Sequence, residues 1–182
     1  FTCDKTDAAG YPTLSAHPGG APDNFLAAMS AYGCKTAMIG KVGADAFGRL
    51  LIGTLDRLGI DTRGVAVDPA YFTTLAFVTL QPDGERDFTF YRRHEADLAL
   101  DWAEVDRGML EKCRIFHVDC LSLTAEPART ATENAARYAK SHGALLSYDP
   151  NFRENLCTSP DDLTRMRDVL SWGVDFVKVS AE

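Results

Sequence analysis

The chain has 182 residues, 46% hydrophobic and 25% charged, with a formal net charge of −7. That balance belongs to a globular domain large enough to bury a core, and the acidic total with no basic face excludes a duplex nucleic-acid partner. No apolar run approaches the roughly 18 residues that span a bilayer, and polar, acidic Phe1 to Gly10 has no signal-peptide pattern.

Reading along the chain, His17-Pro18-Gly19-Gly20-Ala21-Pro22-Asp23-Asn24 leads into an Ala-rich helix through Ala31. Adjacent glycines let a ligand approach the backbone, and Asn24 both donates and accepts. The same residues also suit a plain loop with Asn as helix cap, so both readings stand. Lys35 to Ile39 reads as a strand. Gly40-Lys41-Val42-Gly43-Ala44-Asp45-Ala46-Phe47-Gly48 then leads into a helix over 45–58, with Asp45 as its cap and Gly59 as its stop. This stretch is neither GxGxxG nor the GxxxxGK[ST] phosphate loop. A dinucleotide-binding oxidoreductase therefore fits the α/β rhythm but not the glycine spacing.

Val65 to Val67 reads as a short strand. Thr73 to Leu80 and Asp87 to Tyr91, joined by Gln81-Pro82-Asp83-Gly84, read as a hairpin with Phe88 and Phe90 on one face and Thr89 and Tyr91 on the other. The rest alternates: a helix over 101–112, a buried strand over 115–118, a helix over 126–142 with Pro127 in its first turn and Gly143 past its end, a strand over 144–148, a helix over 161–171 and a strand over 176–179. Strands alternating with helices predict a mainly parallel sheet covered on both faces. His117 reads as a satisfied core histidine. Asp119 ends its strand at the edge where α/β proteins bind ligands, and there it suits a ligand hydroxyl. Five widely spaced cysteines, without a CxxC or a His-rich cluster, read as reduced thiols of a cytoplasmic protein and exclude a zinc site.

Taken together, Gly-Gly-Ala-Pro-x-Asn and Gly-Lys-Val-Gly-x-Asp-x-Phe-Gly resemble the first signature of the PfkB/ribokinase-type carbohydrate kinases. Thr73 to Val78, Gly84-Glu85-Arg86, Phe90-Tyr91-Arg92, Ala96-Asp97, Asp149-Pro150-Asn151-Phe152-Arg153 and Val177 to Ser180 follow in the family's order. The resemblance spans nearly the whole chain and is fructokinase-like. It departs at Leu156-Cys157, where many relatives have Leu-Trp.

The resemblance implies a three-layer α/β/α sandwich with a mostly parallel sheet and a β-hairpin lid. Residues 1–182 would form one partial ribokinase-like domain, with residues 64–97 as the lid insertion. Gly19, Gly20 and Asn24 would line the sugar site, and Ala76, Phe77 and Tyr91 would close over it. Asp149, Asn151 and Arg153 would sit near the sugar and the transferred phosphate. Arg153 suits phosphate or carboxylate as a planar, permanently charged donor, or it forms a surface salt bridge with Asp149.

ATP and Mg are the expected cofactors of a longer protein. The family's Gly-Ala-Gly-Asp box, with its catalytic base and anion hole, does not occur in these 182 residues. The resemblance places that base, and a Mg-associated glutamate, beyond Glu182, so no catalytic residue is expected within the chain. The start at Phe1 and the strand at the C-terminus read as cuts, and the stretch alone is expected to be inactive. A sugar is the expected partner, and lid pairing implies a homodimer, with Phe77, Phe88 and Phe90 serving that contact or the lid's own packing. The runner-up activity is a 2-keto-3-deoxygluconate kinase, its substrate carboxylate held by Arg92, Arg93 or Arg153. A non-catalytic sugar-binding protein on the same fold is the alternative of another class.

Overall fold

The computed structural model describes residues 1–80, 86–91, 94–151 and 160–179. Its strands are β1 (Thr2–Thr6), β2 (Pro12–Ser15), β3 (Ala37–Gly43), β4 (Asp61–Asp68), β5 (Leu75–Leu80), β6 (Arg86–Tyr91), β7 (Ile115–Asp119), β8 (Leu145–Asp149) and β9 (Phe176–Val177). Its helices are α1 (Ala21–Ala31), α2 (Ala46–Arg57), the single turn α3 (Arg107–Leu110), α4 (Ala128–Ser141) and α5 (Pro160–Asp168).

The parallel strands expected from the α/β alternation are present as β3-β4 and β7-β8-β9. Strand alternation gives β7 and β8 two dressed faces. Phe116 and Val118 share one face with Leu146 and Tyr148, their ladder partners, and α4 packs there through Ala136. His117 and Ser147 share the other face, where Phe25 of α1 lies over the His117 ring. Helix, sheet, helix is the three-layer order. The close approach of α4 follows from its composition. Ala128, Ala131, Ala135, Ala136 and Ala139 are all buried, and small side chains let the helix sit directly on Leu110, Leu146 and Val169, each about 1% exposed or less.

The hairpin of β5 and β6 is antiparallel, with Ala76 opposite Phe90 and Phe77 opposite Thr89. It belongs to a four-stranded sheet ordered β2-β1-β5-β6. The two N-terminal strands have no counterpart in the sequence expectations, because Thr-Cys-Asp-Lys-Thr lacks an apolar alternation. Residues 64–68, expected inside the lid, belong instead to β4, which pairs with β3 along Gly64 to Asp68. The lid sheet therefore starts beyond Asp68.

The single helix expected over 101–112 is replaced by two short turns. Asp101 caps a 3-10 turn over Trp102–Glu104 in a capping box with Glu104, and Asp106 accepts from the Gly108 and Met109 N–H groups to start α3. Aspartate in mid-helix competes for backbone donors and favours a new start. Ile115, expected in a buried strand, is 55% exposed at the entry of β7, while Val118 at its far end is buried.

Candidate functional site

An open cleft of about 1810 Å3 runs between α1, β3, β7 and the lid hairpin. That exceeds the roughly 300–1000 Å3 of ordinary small-ligand pockets, so the polar residues, not the volume, define where a ligand sits.

Gly19, Gly20 and Asn24 line the cleft at the start of α1. Gly20 is the N-cap, with φ 152° and no side-chain capping bond. A Cβ there would meet the Asp23 carboxylate at 2.7 Å, so the loop needs glycine on both conformational and steric grounds. Because Gly20 is the cap, Asn24 is not, which removes the plain capping reading of that side chain. Asn24 is exposed at the cleft wall.

From the lid, Ala76 lines the cleft together with Phe90, its partner across the hairpin. Phe77 and Tyr91, expected to close over the sugar, are not on the cleft wall. Alternation turns Phe77 away from Ala76. Its ring stacks on Phe1 at 5.4 Å and meets Tyr91 edge-on at 5.3 Å, and Tyr91 is 66% exposed. Phe90 and the lid exit also bring a residue absent from the sequence-derived site. Asp97 lines the cleft and accepts a hydrogen bond from the Thr74 hydroxyl, which ties the two roots of the lid together.

The end of β8 supplies the third wall. Asp149 accepts from the Asn151 backbone N–H at 3.1 Å and forms a 2.9 Å ion pair with Lys178. Asn151 lines the cleft in a left-handed turn at φ 40°. That conformation is sparsely populated for a non-glycine residue, though asparagine tolerates it best. Two contacts hold it: the Asp149 bond just given and one from the Cys120 thiol to the Asn151 carbonyl at 3.5 Å. Asp149 itself acts behind the wall, shaping the turn that presents Asn151. Arg153 lies outside the described residues, as do Arg92 and Arg93. Glu182, the residue past which the catalytic base is expected, also lies outside them.

His117 and Asp119 also line the cleft. His117 Nδ1 pairs with the Ser147 hydroxyl at 3.1 Å, and its ring packs 4.7 Å from Phe25. Burial pushes its pKa down, opposed by Asp149 and reinforced by Lys178, which favours the neutral ring. Asp119 is buried and accepts from the Leu121 N–H at 3.2 Å. Among the described residues, no group of three or more His, Cys, Asp or Glu side chains could hold a metal ion. The arrangement of glycine backbone, two amides and carboxylates suits a ligand rich in hydroxyl groups.

The pfkB family carbohydrate kinase model matches residues 4–182 of this sequence. The chain belongs to the pfkB family. The chain is 45% identical over 170 residues to fructokinase-1 of Oryza sativa subsp. japonica, covering 93% of this chain and 52% of that protein. It is 45% identical over 170 residues to fructokinase-1 of Zea mays, with the same coverage of 93% and 52%. It also superimposes on the fructokinase of Xylella fastidiosa crystallised with bound ATP, with a TM-score of 0.89 and 30% identity, covering 97% of this chain and 56% of that one. The chain thus spans about half the length of the relatives it matches.

In this pfkB chain the Gly40–Gly48 signature is scaffold for the site. Asp45 Oδ1 accepts from the Phe47 and Gly48 N–H groups at 2.9 and 2.8 Å, as expected of a cap. The same carboxylate accepts from the Thr73 N–H and hydroxyl at 2.8 and 2.9 Å. Thr73 opens the lid, so one aspartate joins the start of α2 to the root of the hairpin. Lys41, 8% exposed, is buried between elements far apart in sequence. Its ammonium reaches Asp68 at 2.8 Å, Glu104 at 2.9 Å and the Ala99 carbonyl at 3.1 Å. Burial lowers its pKa, but the bonds to Asp68 and Glu104 reverse that and hold it above the ordinary value. It is a charged pin in the cleft wall.

Proposed function

We propose that the protein containing this chain transfers a phosphoryl group from ATP to a hydroxyl of fructose, and that these 182 residues supply the acceptor side. One observation carries the reading. Gly19, Gly20, Asn24, Ala76 and Asn151, drawn from three separate segments, line one cleft. Catalysis of phosphoryl transfer is chiefly positioning plus charge stabilisation. A wall of neutral donors and acceptors holding a sugar hydroxyl in place serves the positioning part. The fructokinase relatives at 45% identity favour fructose among sugars, and the ATP-bound neighbour favours ATP as donor, with Mg as its counter-ion.

The chain alone is proposed to be inactive, because no Gly-Ala-Gly-Asp box occurs in its sequence. The catalytic base is assigned to the longer protein, beyond Glu182. We also place the protein in the cytoplasm and propose a homodimer through the lid sheet, where Tyr11, Leu14 and Tyr91 are exposed. A coupled ADP-release assay on the longer protein, run with fructose, glucose, ribose and 2-keto-3-deoxygluconate, tests the activity. Fructose is expected to give the highest kcat/KM, with no turnover from the 182 residues alone. A preference for 2-keto-3-deoxygluconate, or turnover by the 182 residues, contradicts this reading.

A further inference from the structure

His117 stands on the α1-facing side of β7, and the fold accounts for only half of its ring. Nδ1 pairs with the Ser147 hydroxyl of β8 at 3.1 Å, and Phe25 of α1 packs on the ring at 4.7 Å. Those two contacts fix the ring's place and its rotation. The other ring nitrogen, Nε2, makes no hydrogen bond to any described residue. Nor is it one of the fully buried atoms left without a partner. Nε2 is therefore the open atom of a half-buried residue.

The fold also sets its bearing. Nδ1 and Nε2 point to opposite sides of an imidazole ring, so an Nδ1 turned to β8 sends Nε2 away from β8. Among the described strands β7 ends its sheet, with β8 on one side only. On the other side lies the cleft, which His117 lines. Phe25, on the ring, directly follows Asn24, so the imidazole stands beside the start of α1, where Gly19, Gly20 and Asn24 line the same cleft.

The chemistry of Nε2 selects its partner. Burial lowers the pKa of the ring, with Asp149 opposing and Lys178 adding to the effect, so the ring is offered neutral and attracts an anion weakly. A neutral imidazole donates from one nitrogen and accepts at the other. The Ser147 hydroxyl can take either role, and Nε2 then takes the complementary one. A ligand hydroxyl, which both donates and accepts, matches Nε2 in either tautomer.

We propose that His117 is a specificity-determining residue of the acceptor site, its Nε2 exchanging a hydrogen bond with one hydroxyl of the bound sugar. This rests on the sugar-binding reading above and adds to it a named recognition contact.

The test crosses side-chain change with hydroxyl deletion in the longer protein. Fructose and each of its monodeoxy analogues are titrated calorimetrically into wild type, His117→Asn and His117→Gln. The asparagine amide takes the place of Nδ1 and can keep the Ser147 bond, whereas the glutamine amide reaches the place of Nε2. Wild type is expected to bind one analogue about tenfold weaker than fructose, the size of one lost hydrogen bond. His117→Asn is expected to bind fructose about tenfold weaker than wild type and to bind that analogue and fructose alike. His117→Gln is expected to recover both affinity and discrimination to within about threefold. A purely structural histidine predicts the reverse, because only asparagine keeps the Ser147 bond. Equal discrimination by all three proteins, or recovery with asparagine alone, overturns the assignment and leaves the sugar site standing. If the wild type binds none of the sugars, the sugar-binding reading fails, and this assignment fails with it.

Discussion

Single residues of the Gly40–Gly48 signature bear stability that the sequence only half reveals. Gly48 is buried, and a Cβ on it would lie 2.2 Å from the Gly43 carbonyl oxygen, which is backbone and cannot yield. Gly48→Ala is therefore expected to destabilise the chain by about 2 kcal/mol, within the range of overpacked sites, read as a fall in the denaturant midpoint. Asp45 behaves differently. Burial raises its pKa, but bonds from the Thr73 N–H, the Gly48 N–H, the Thr73 hydroxyl and the Phe47 N–H bring it below the ordinary value. A depressed carboxylate contributes stability above its unfolded pKa and loses it as pH falls through the folded one. Asp45→Asn should thus cost about 1–2 kcal/mol near neutral pH, a difference from wild type that shrinks below about pH 4. Urea melts at pH 7 and pH 3 check both statements. The cap itself was legible, since Asp before an apolar period is a local signal. The second pair of bonds, to Thr73, was not, because a partner 28 residues away leaves no mark on spacing. Lys41 makes the same point more strongly. Its partners Asp68 and Glu104 come from separate elements, and Lys41→Met is expected to lower the urea midpoint by removing the cation that both carboxylates share.

At the scale of elements, the hairpin and most of its alternation were readable from Thr, Phe and Val runs around a Pro-Asp-Gly turn. The face presented to the cleft was not. Period two says that Ala76 and Phe77 point opposite ways, and only the placement of the hairpin over the cleft says which faces inward. The structure puts Ala76 and Phe90 inward and packs Phe77 against Phe1 and Tyr91. Phe90→Ala is accordingly expected to weaken fructose binding about tenfold through lost contact area, while Tyr91→Ala changes it less than about twofold, as its exposure implies. Calorimetric titration of the two variants separates these outcomes, and equal losses would reverse the assignment of faces. The strands β1 and β2 were invisible for a related reason. They are polar and short, and β1 takes its place by pairing with β5 more than seventy residues away. The expected helix over 101–112 failed where two aspartates, Asp101 and Asp106, each captured backbone donors and started a new turn.

For the molecule as a whole, the α/β alternation and the joint order of the family motifs made the fold legible, and the pfkB match over residues 4–182 agrees with both. The site was legible as a set of segments. What brings them together is the layered packing: α1 on one face of β7, α4 on the other, and the lid anchored through Thr73 to the cap of α2. The central claim is that this convergence forms a sugar-binding cleft. Calorimetric titration of the 182-residue chain with D-fructose, repeated for Asn24→Ala and Asn151→Ala, tests it most directly. The account predicts saturable binding by the wild-type chain, weakened about tenfold in each variant. No binding by a folded wild-type chain, or binding untouched by both substitutions, would contradict it.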